Sequence, residues 1–284
     1  MRKAIAVIVA LMVLLTGCAS QKNMVENAEP ALPSNNQQTQ SQSEGTKAGG
    51  KEFVMKNLFE KGYYDYQGKM REDMVILMSL YPQEKDIVGS YFYENEREET
   101  TLKGKAEGTK IILFEYDDKG QKTGSFIGTM ETVDRIEGIW TSADGKMSYP
   151  FALSLSSILP GAEYGKRYAV AVSNASDQEV ENYAGTIQDY IMNSEKKLSK
   201  EMQYPINVKI DGKVSEIKNQ DEFIKNYDKI FSPGYKQSMS HAFTKYMFAN
   251  WQGVMFGSGM ENMWINEVKP AEGSPKLMIT AINN

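Results

Sequence analysis

Few residues in this sequence are equipped for covalent or proton-transfer chemistry. There is one cysteine, Cys18, and one histidine, His241, in 284 residues. A single thiol permits no intrachain disulfide and no cysteine-built zinc cluster. A single imidazole gives a Ser-His-Asp arrangement or a two-histidine metal site almost nothing to draw on. To act as a general base, His241 would need to meet a carboxylate such as Asp221 or Glu222, and no spacing pairs them. A surface or helix-capping histidine is the plainer expectation. The acidic run Glu94-Asn95-Glu96-Arg97-Glu98-Glu99 lacks the Asp-x-Asp-x-Asp-Gly spacing of a calcium loop and reads as a solvated hairpin tip. Met255, Met260 and Met263 offer soft thioethers for Cu(I), but the odd spacing of Met260 and Met263 sends them to opposite faces of one strand. Core filling is the better reading. Phosphate-binding, dinucleotide, zincin and Gly-x-Ser-x-Gly motifs are all absent from the sequence. Catalysis therefore finds no motif to rest on, and no cofactor or metal is expected.

Aromatic residues are the stronger candidates. Sixteen Tyr and three Trp exceed ordinary core needs, and both types favour partly wet positions where the polar tip finds a partner. Tyr91, Tyr93 and Trp140 fall in the first half, with Tyr183, Tyr227, Trp251 and Trp264 in the second. Such rings stack on sugar faces or line an apolar pocket; ordinary sheet packing is the competing use. A carrier needs Tyr183, Tyr227 and Trp251 around one closed pocket, whereas a surface module needs those rings facing solvent.

The elements that must position these rings follow from local pattern. Short strands are expected at Met74–Met78, Val88–Tyr93, Thr101–Gly104, Ile111–Tyr116, Gly124–Met130, Ile136–Thr141 and Ser148–Leu153, after a short helix over Glu52–Lys61. Asp118-Lys119-Gly120 and Asp144-Gly145 supply tight turns between them. Ile112 and Phe114 alternate with Ile111 and Leu113, so this strand is apolar on both faces. That predicts a sheet curled into a barrel or covered by another element. After Leu159-Pro160-Gly161 the pattern changes. Ser176 and Glu179 form a capping box, and Val180, Tyr183, Ala184, Ile187 and Ile191 make one helical stripe. A hairpin follows at Ile206–Ile217 around Asp211-Gly212. A helix then starts at Asn219, carries Phe223, Tyr227, Ile230 and Phe231, and is broken by Pro233-Gly234. Three strands are expected at the end: Tyr246–Phe256, Met260–Val268 and Lys276–Ile282.

With 41% hydrophobic and 11% aromatic residues, the chain fills a core and wholesale disorder is excluded. A net charge of −5 argues against nucleic acid as a partner. Composition shifts sharply between Ala19 and Gly50, where Gln, Ser, Asn and Thr dominate without an aromatic. That stretch reads as a flexible spacer with an r.m.s. reach of ~30 Å.

Residues 1–17 carry Arg2 and Lys3 followed by an apolar run, Ala4–Leu15, too short for a permanent span. The next residues, Leu15-Thr16-Gly17-Cys18, resemble the lipobox of bacterial lipoproteins. The resemblance implies cleavage before Cys18, acylation of that residue, and a lipid tether to the extracytoplasmic face of a membrane in the bacterial envelope. Gly89-x-Tyr91-x-Tyr93, Phe126-x-Gly128 and Gly138-Ile139-Trp140-Thr141 resemble lipocalin-like domains of such lipoproteins. The helix–hairpin–helix–meander order of the second half resembles the NTF2-like or cystatin-like fold, in which a curved sheet wraps a helix around a hollow.

The expected fold class is therefore mixed α+β. A signal segment (1–17) and a lipidated cysteine with its linker (18–50) precede an antiparallel β-meander or small barrel (51–158) and an NTF2-like α+β domain (159–284). The expected function is non-catalytic binding at the cell envelope, to an envelope polymer or protein. The alternative is a carrier of a small apolar ligand.

Overall fold

The computed structural model describes residues 58–94, 98–270 and 273–284. The signal segment, Cys18, the spacer, most of the helix expected over Glu52–Lys61, and Asn95–Arg97 lie outside the described residues. The described residues belong to one compact unit, Phe53–Asn284. Both of its apolar clusters are closed within it, so this unit carries the core it needs to fold by itself.

Eight antiparallel strands close into a barrel in simple up-and-down order. They are β1 (Gly62–Met70), β2 (Met74–Gln83), β3 (Asp86–Tyr93), β4 (Glu99–Glu107), β5 (Lys110–Tyr116), β6 (Lys122–Thr129), β7 (Arg135–Ser142) and β8 (Ser148–Pro160). Strand β1 closes the barrel against β8, running from Gly62 opposite Pro160 to Met70 opposite Phe151. The meander-or-barrel alternative thus resolves as a closed barrel. Side chains alternate in and out along each strand, and the inward ones, including Tyr66, Met78, Leu102, Leu113, Phe126 and Leu153, fill the interior. Gly128 and Gly138 face each other across β6 and β7. A Cβ on Gly138 would stand 2.1 Å from the Ile127 carbonyl oxygen, so only glycine allows that strand approach.

Strand β1 went unrecognised in the sequence, and the described end of the helix expected before it, residues 58–61, is not helical. The reason is burial on both faces of β1. Tyr64 and Tyr66 point into the barrel, while Tyr63 and Asp65 are covered from outside, so no polar alternation marks the strand. Strand β8 likewise runs past Leu153 to Pro160, because it pairs with both β7 and β1.

The second part is α+β. Helix α1 (Asp177–Asn193) starts at the expected capping box and buries Val180, Ala184, Ile187 and Ile191. A short helix α2 (Glu195–Leu198) leads to the hairpin β9 (Ile206–Ile210) and β10 (Lys213–Ile217). Its turn residues Asp211 and Gly212 both have positive φ, as a two-residue hairpin loop demands. The expected Asn219 helix is two short pieces, α3 (Gln220–Lys225) and α4 (Tyr227–Ile230). Pro233 then opens a nine-residue helix, α5 (Pro233–His241), because proline suits a first helical turn. A four-stranded sheet ends the chain: β11 (Phe248–Asn250), β12 (Gly253–Ser258), β13 (Glu261–Val268) and β14 (Lys276–Asn283). The single strand expected at Tyr246–Phe256 is therefore a hairpin folded at Trp251-Gln252. Buried residues of α1, α3–α5 and the sheet, Phe223, Phe231, Tyr235, Val254, Phe256 and Met263 among them, join one apolar cluster that also takes Tyr63, Tyr81 and Leu159 from the barrel. Among the described residues, no helix is long and apolar enough to cross a membrane.

Candidate functional site

The segment from Gly161 to Ala175 joins the barrel to α1 and is pinned at both ends. Gly161 N–H donates to the Lys61 carbonyl at 2.8 Å, and Gly165 N–H to the Tyr63 hydroxyl at 2.7 Å. The backbone N–H groups of Arg167 and Tyr168 donate to the Asp177 carboxylate, at 2.8 and 3.2 Å, where α1 begins. Arg167 and Tyr168 are buried, whereas their neighbours on either side stand in solvent.

Arg167 is the anchor. Its guanidinium pairs with the buried Asp65 carboxylate of β1 and donates to Ser79 Oγ at 3.1 Å. The Ser79 and Ser157 hydroxyls also donate to Asp65, at 2.7 and 2.8 Å. Burial opposes the guanidinium charge, but the Asp65 carboxylate more than offsets it and holds Arg167 above its ordinary range. The rings of Tyr63, Tyr168 and Tyr246 surround it at 4.9, 5.8 and 5.6 Å. A buried charge must be paired to be tolerated, so this cluster clamps barrel and second part together.

Two clefts flank the clamp. The first, of about 390 Å³, is polar and lined by Tyr63, Ser90, Glu99, Tyr164, Glu181 and Tyr246 with others. Burial raises the Glu181 carboxyl, against the pull of Lys245 and the Tyr168 hydroxyl. Burial also pushes Glu99 upward, yet Lys245, Ser90 and the Tyr246 hydroxyl together bring it below the usual range. Burial lifts the Tyr63 hydroxyl to about 12, partly offset by the Gly165 N–H it accepts. The network satisfies itself: among the described residues, no buried side-chain polar atom lacks a partner.

The second cleft, of about 600 Å³, is lined by Leu159, Pro160, Ala162, Ala169, Val170, Ala249 and Trp251, with Glu163 and Lys166 present as well. Trp251 is 81% exposed and Val170 59%. The turn that presents Trp251 is stiff. Asn250 Oδ1 accepts from Gln252 N–H at 2.7 Å, Asn266 Nδ2 donates to the Gln252 carbonyl at 2.7 Å, and a Cβ on Gly253 would lie 2.5 Å from Asn266 Nδ2. A rigid turn thus holds a large aromatic in water beside an apolar cleft, an arrangement that favours stacking against a flat or apolar partner.

The remaining aromatic candidates are dispersed. Tyr91, Tyr93 and Trp140 come together inside the barrel, where Tyr91 Oη and Trp140 Nε1 donate to Glu115 Oε2 at 2.8 and 2.9 Å. Trp140 stacks flat on Tyr149 at 5.7 Å. Tyr227 is buried in the second core, Tyr183 is half-buried with its hydroxyl donating to Glu201 at 3.2 Å, and Trp264 is half-buried on β13. Tyr227 and Trp251 line different clefts. His241 ends α5, exposed, its Nδ1 2.8 Å from the Gln237 carbonyl oxygen. Glu222 is engaged at the start of α3 with Lys218 N–H at 2.8 Å. Met263 is in the core and Met260 in solvent. Among the described residues, no cluster of histidine, cysteine and carboxylate side chains could hold a metal ion. The Arg167 clamp and the Val170 side of the apolar cleft carried no recognisable sequence signal, because both are built from residues far apart in the chain.

Fold and site together define a closed eight-stranded antiparallel barrel joined to an α+β part. No protein-family model matches the chain, and no curated protein matches it. Among solved structures it is similar to a redesigned β-barrel, mFAP1, bound to DFHBI, at 15% identity and a TM-score of 0.26, covering 34% of this chain and 94% of that one.

Proposed function

We propose that this chain is a lipid-anchored lipoprotein of the bacterial envelope whose folded unit binds, without catalysis, an envelope polymer or another envelope protein. The barrel is read as lipocalin-like and the α+β part as NTF2-like. The lipobox-like Leu15-Thr16-Gly17-Cys18 supports the anchor, and the polar, aromatic-free composition of Ala19–Gly50 supports reading it as a spacer. The observation that carries the binding role is Trp251, 81% exposed on a stiff turn beside an apolar cleft. A ring so placed is poised for a sugar face or an apolar side chain.

The test is co-sedimentation of residues 19–284 with purified cell-wall polymer and with detergent-solubilised envelope proteins. Retention by either, lost in Trp251→Ala, is expected. Retention by neither, or retention that Trp251→Ala leaves intact, rules the reading out. For the anchor, the intact mass of the mature protein should show diacylglycerol on Cys18.

A second reading, a carrier for a small apolar ligand, is favoured by the closed barrel itself, since eight strands enclose room for one small ligand or for packed side chains. A ligand entering there would have to displace rings such as Phe126 and Trp140. Native mass spectrometry after exposure to a lipid extract distinguishes the two, because only a carrier retains a small-molecule adduct.

A further inference from the structure

The fold uses only one face of the doubly apolar strand. On β5, Ile111 and Leu113 fill the barrel, while Ile112 points outward and is 38% exposed. Strand register sets Ile112 opposite Ile127, Ile127 opposite Ile139, and Ile139 opposite Pro150. Ile127 and Ile139 are 56% and 46% exposed. Directly opposed residues on one sheet face have Cβ atoms about 5 Å apart. The four therefore form an unbroken aliphatic row across β5 to β8. The outer face near β1 and β2 packs its Tyr63 and Tyr81 into the second core; this row stays in water.

The net charge on the same wall is positive. Lys105 stands opposite Ile112 and continues the row. Beside it, Lys103 stands opposite Phe114, and Lys122 Nζ lies 3.9 Å above the centroid of the Phe114 ring. Of the acids on this wall, Glu107 stands opposite Lys110 and Glu137 pairs with Arg135. The surplus is positive on a chain whose net charge is −5.

We propose that this wall is a docking surface for an anionic lipid bilayer. Isoleucine side chains enter the boundary between headgroups and acyl chains, and the lysines lay their apolar stems along the surface with ammonium groups among the phosphates. A second copy of the chain is a poor occupant, because it would set Lys103, Lys105 and Lys122 against their own counterparts. A soluble polyanion would satisfy the lysines and leave the isoleucines in water. The inference is independent of acylation.

Residues 19–284 contain the whole compact unit and lack Cys18, so they separate wall from anchor. They are sedimented with vesicles of phosphatidylglycerol and phosphatidylcholine in equal parts, and with vesicles of phosphatidylcholine alone. Binding to the anionic vesicles only is expected, with release at about 1 M salt, where the Debye length is ~3 Å. Lys105→Glu should weaken binding about ten-fold, and Ile127→Ser combined with Ile139→Ser should abolish it. All three positions are exposed, so the thermal midpoint serves as the folding control, and Lys105→Glu alone decides if the isoleucine pair unfolds. No binding to anionic vesicles, equal binding to neutral ones, or binding that Lys105→Glu leaves unchanged overturns the proposal. So does a dimer in sedimentation velocity that Ile127→Ser dissolves. These vesicles probe neither Cys18 nor a Trp251 partner, so failure here leaves the proposed function standing.

Discussion

The barrel interior and the seam beside it each bury a carboxyl group, and they satisfy it by different means. Inside the barrel, Glu115 accepts from two neutral donors, Tyr91 and Trp140, both on strands of the same barrel. At the seam, Asp65 is held by a cation, Arg167, with Ser79 and Ser157. A closed barrel points side chains inward from every strand, so a carboxyl on one strand can meet donors from others within the same barrel. The seam exists only when the connecting segment docks, and its charge arrives with that segment. The first arrangement supports one module; the second makes two parts depend on each other.

The largest expected effect tests that dependence. Arg167→Met leaves Asp65 buried without its cation and should cost ~3–5 kcal/mol, read as a lowered urea midpoint. Adding Asp65→Asn should recover part of the loss. A single-variant cost below ~1 kcal/mol would remove the clamp from the account. Trp140→Phe takes one of the two donors from Glu115 and should cost less, about 1–3 kcal/mol. Were the two substitutions equally costly, the contrast between neutral and charged satisfaction would carry no energetic meaning.

Alkaline pH acts on the seam through its buried tyrosine. Burial holds Tyr63, at the seam, up to about 12, above its unfolded value of ~10. A raised folded value favours the protonated native state, so its contribution is complete below pH ~10 and is lost as pH rises through about 12. Tyr227, in the second core, is raised to about 12 by burial and should add to the same alkaline slope. Tyr63→Phe should flatten part of that slope; an unchanged slope would show that the Tyr63 hydroxyl does not titrate with unfolding. Trp251→Ala should have the smallest effect on stability, within ~0.5 kcal/mol, because the side chain stands in water. Its cost should appear in binding alone, and a large fall in thermal midpoint would mean that the indole packs instead of waiting for a partner.

Much of the architecture was legible wherever the signal is local. The capping box at Ser176 and Glu179, the Asp211-Gly212 hairpin and the turn at Asp144-Gly145 occur as read, because each is decided by a few adjacent residues competing for the same backbone donors or requiring positive φ. Strand β1 was not legible, since burial on both faces erases the period of two. The break at Trp251-Gln252 is marked only by Asn250, Gln252 and Gly253, and Trp251 among them is a residue type that strands favour, which masks the turn. Residue type alone does not say which aromatic ring meets solvent. Trp251 and Trp140 carry the same indole, yet one stands in water and the other supplies a core hydrogen bond.

Turns, caps, helix faces and the poverty of catalytic groups follow from composition and from neighbours a few residues apart. Tertiary structure alone decided that β1 would close on β8, that Asp65 would meet Arg167 across 102 residues of sequence, and that Ile112, Ile127 and Ile139 would line up outside the barrel. Each is a pairing between distant segments, and its energy is realised only after loop closure has brought them together.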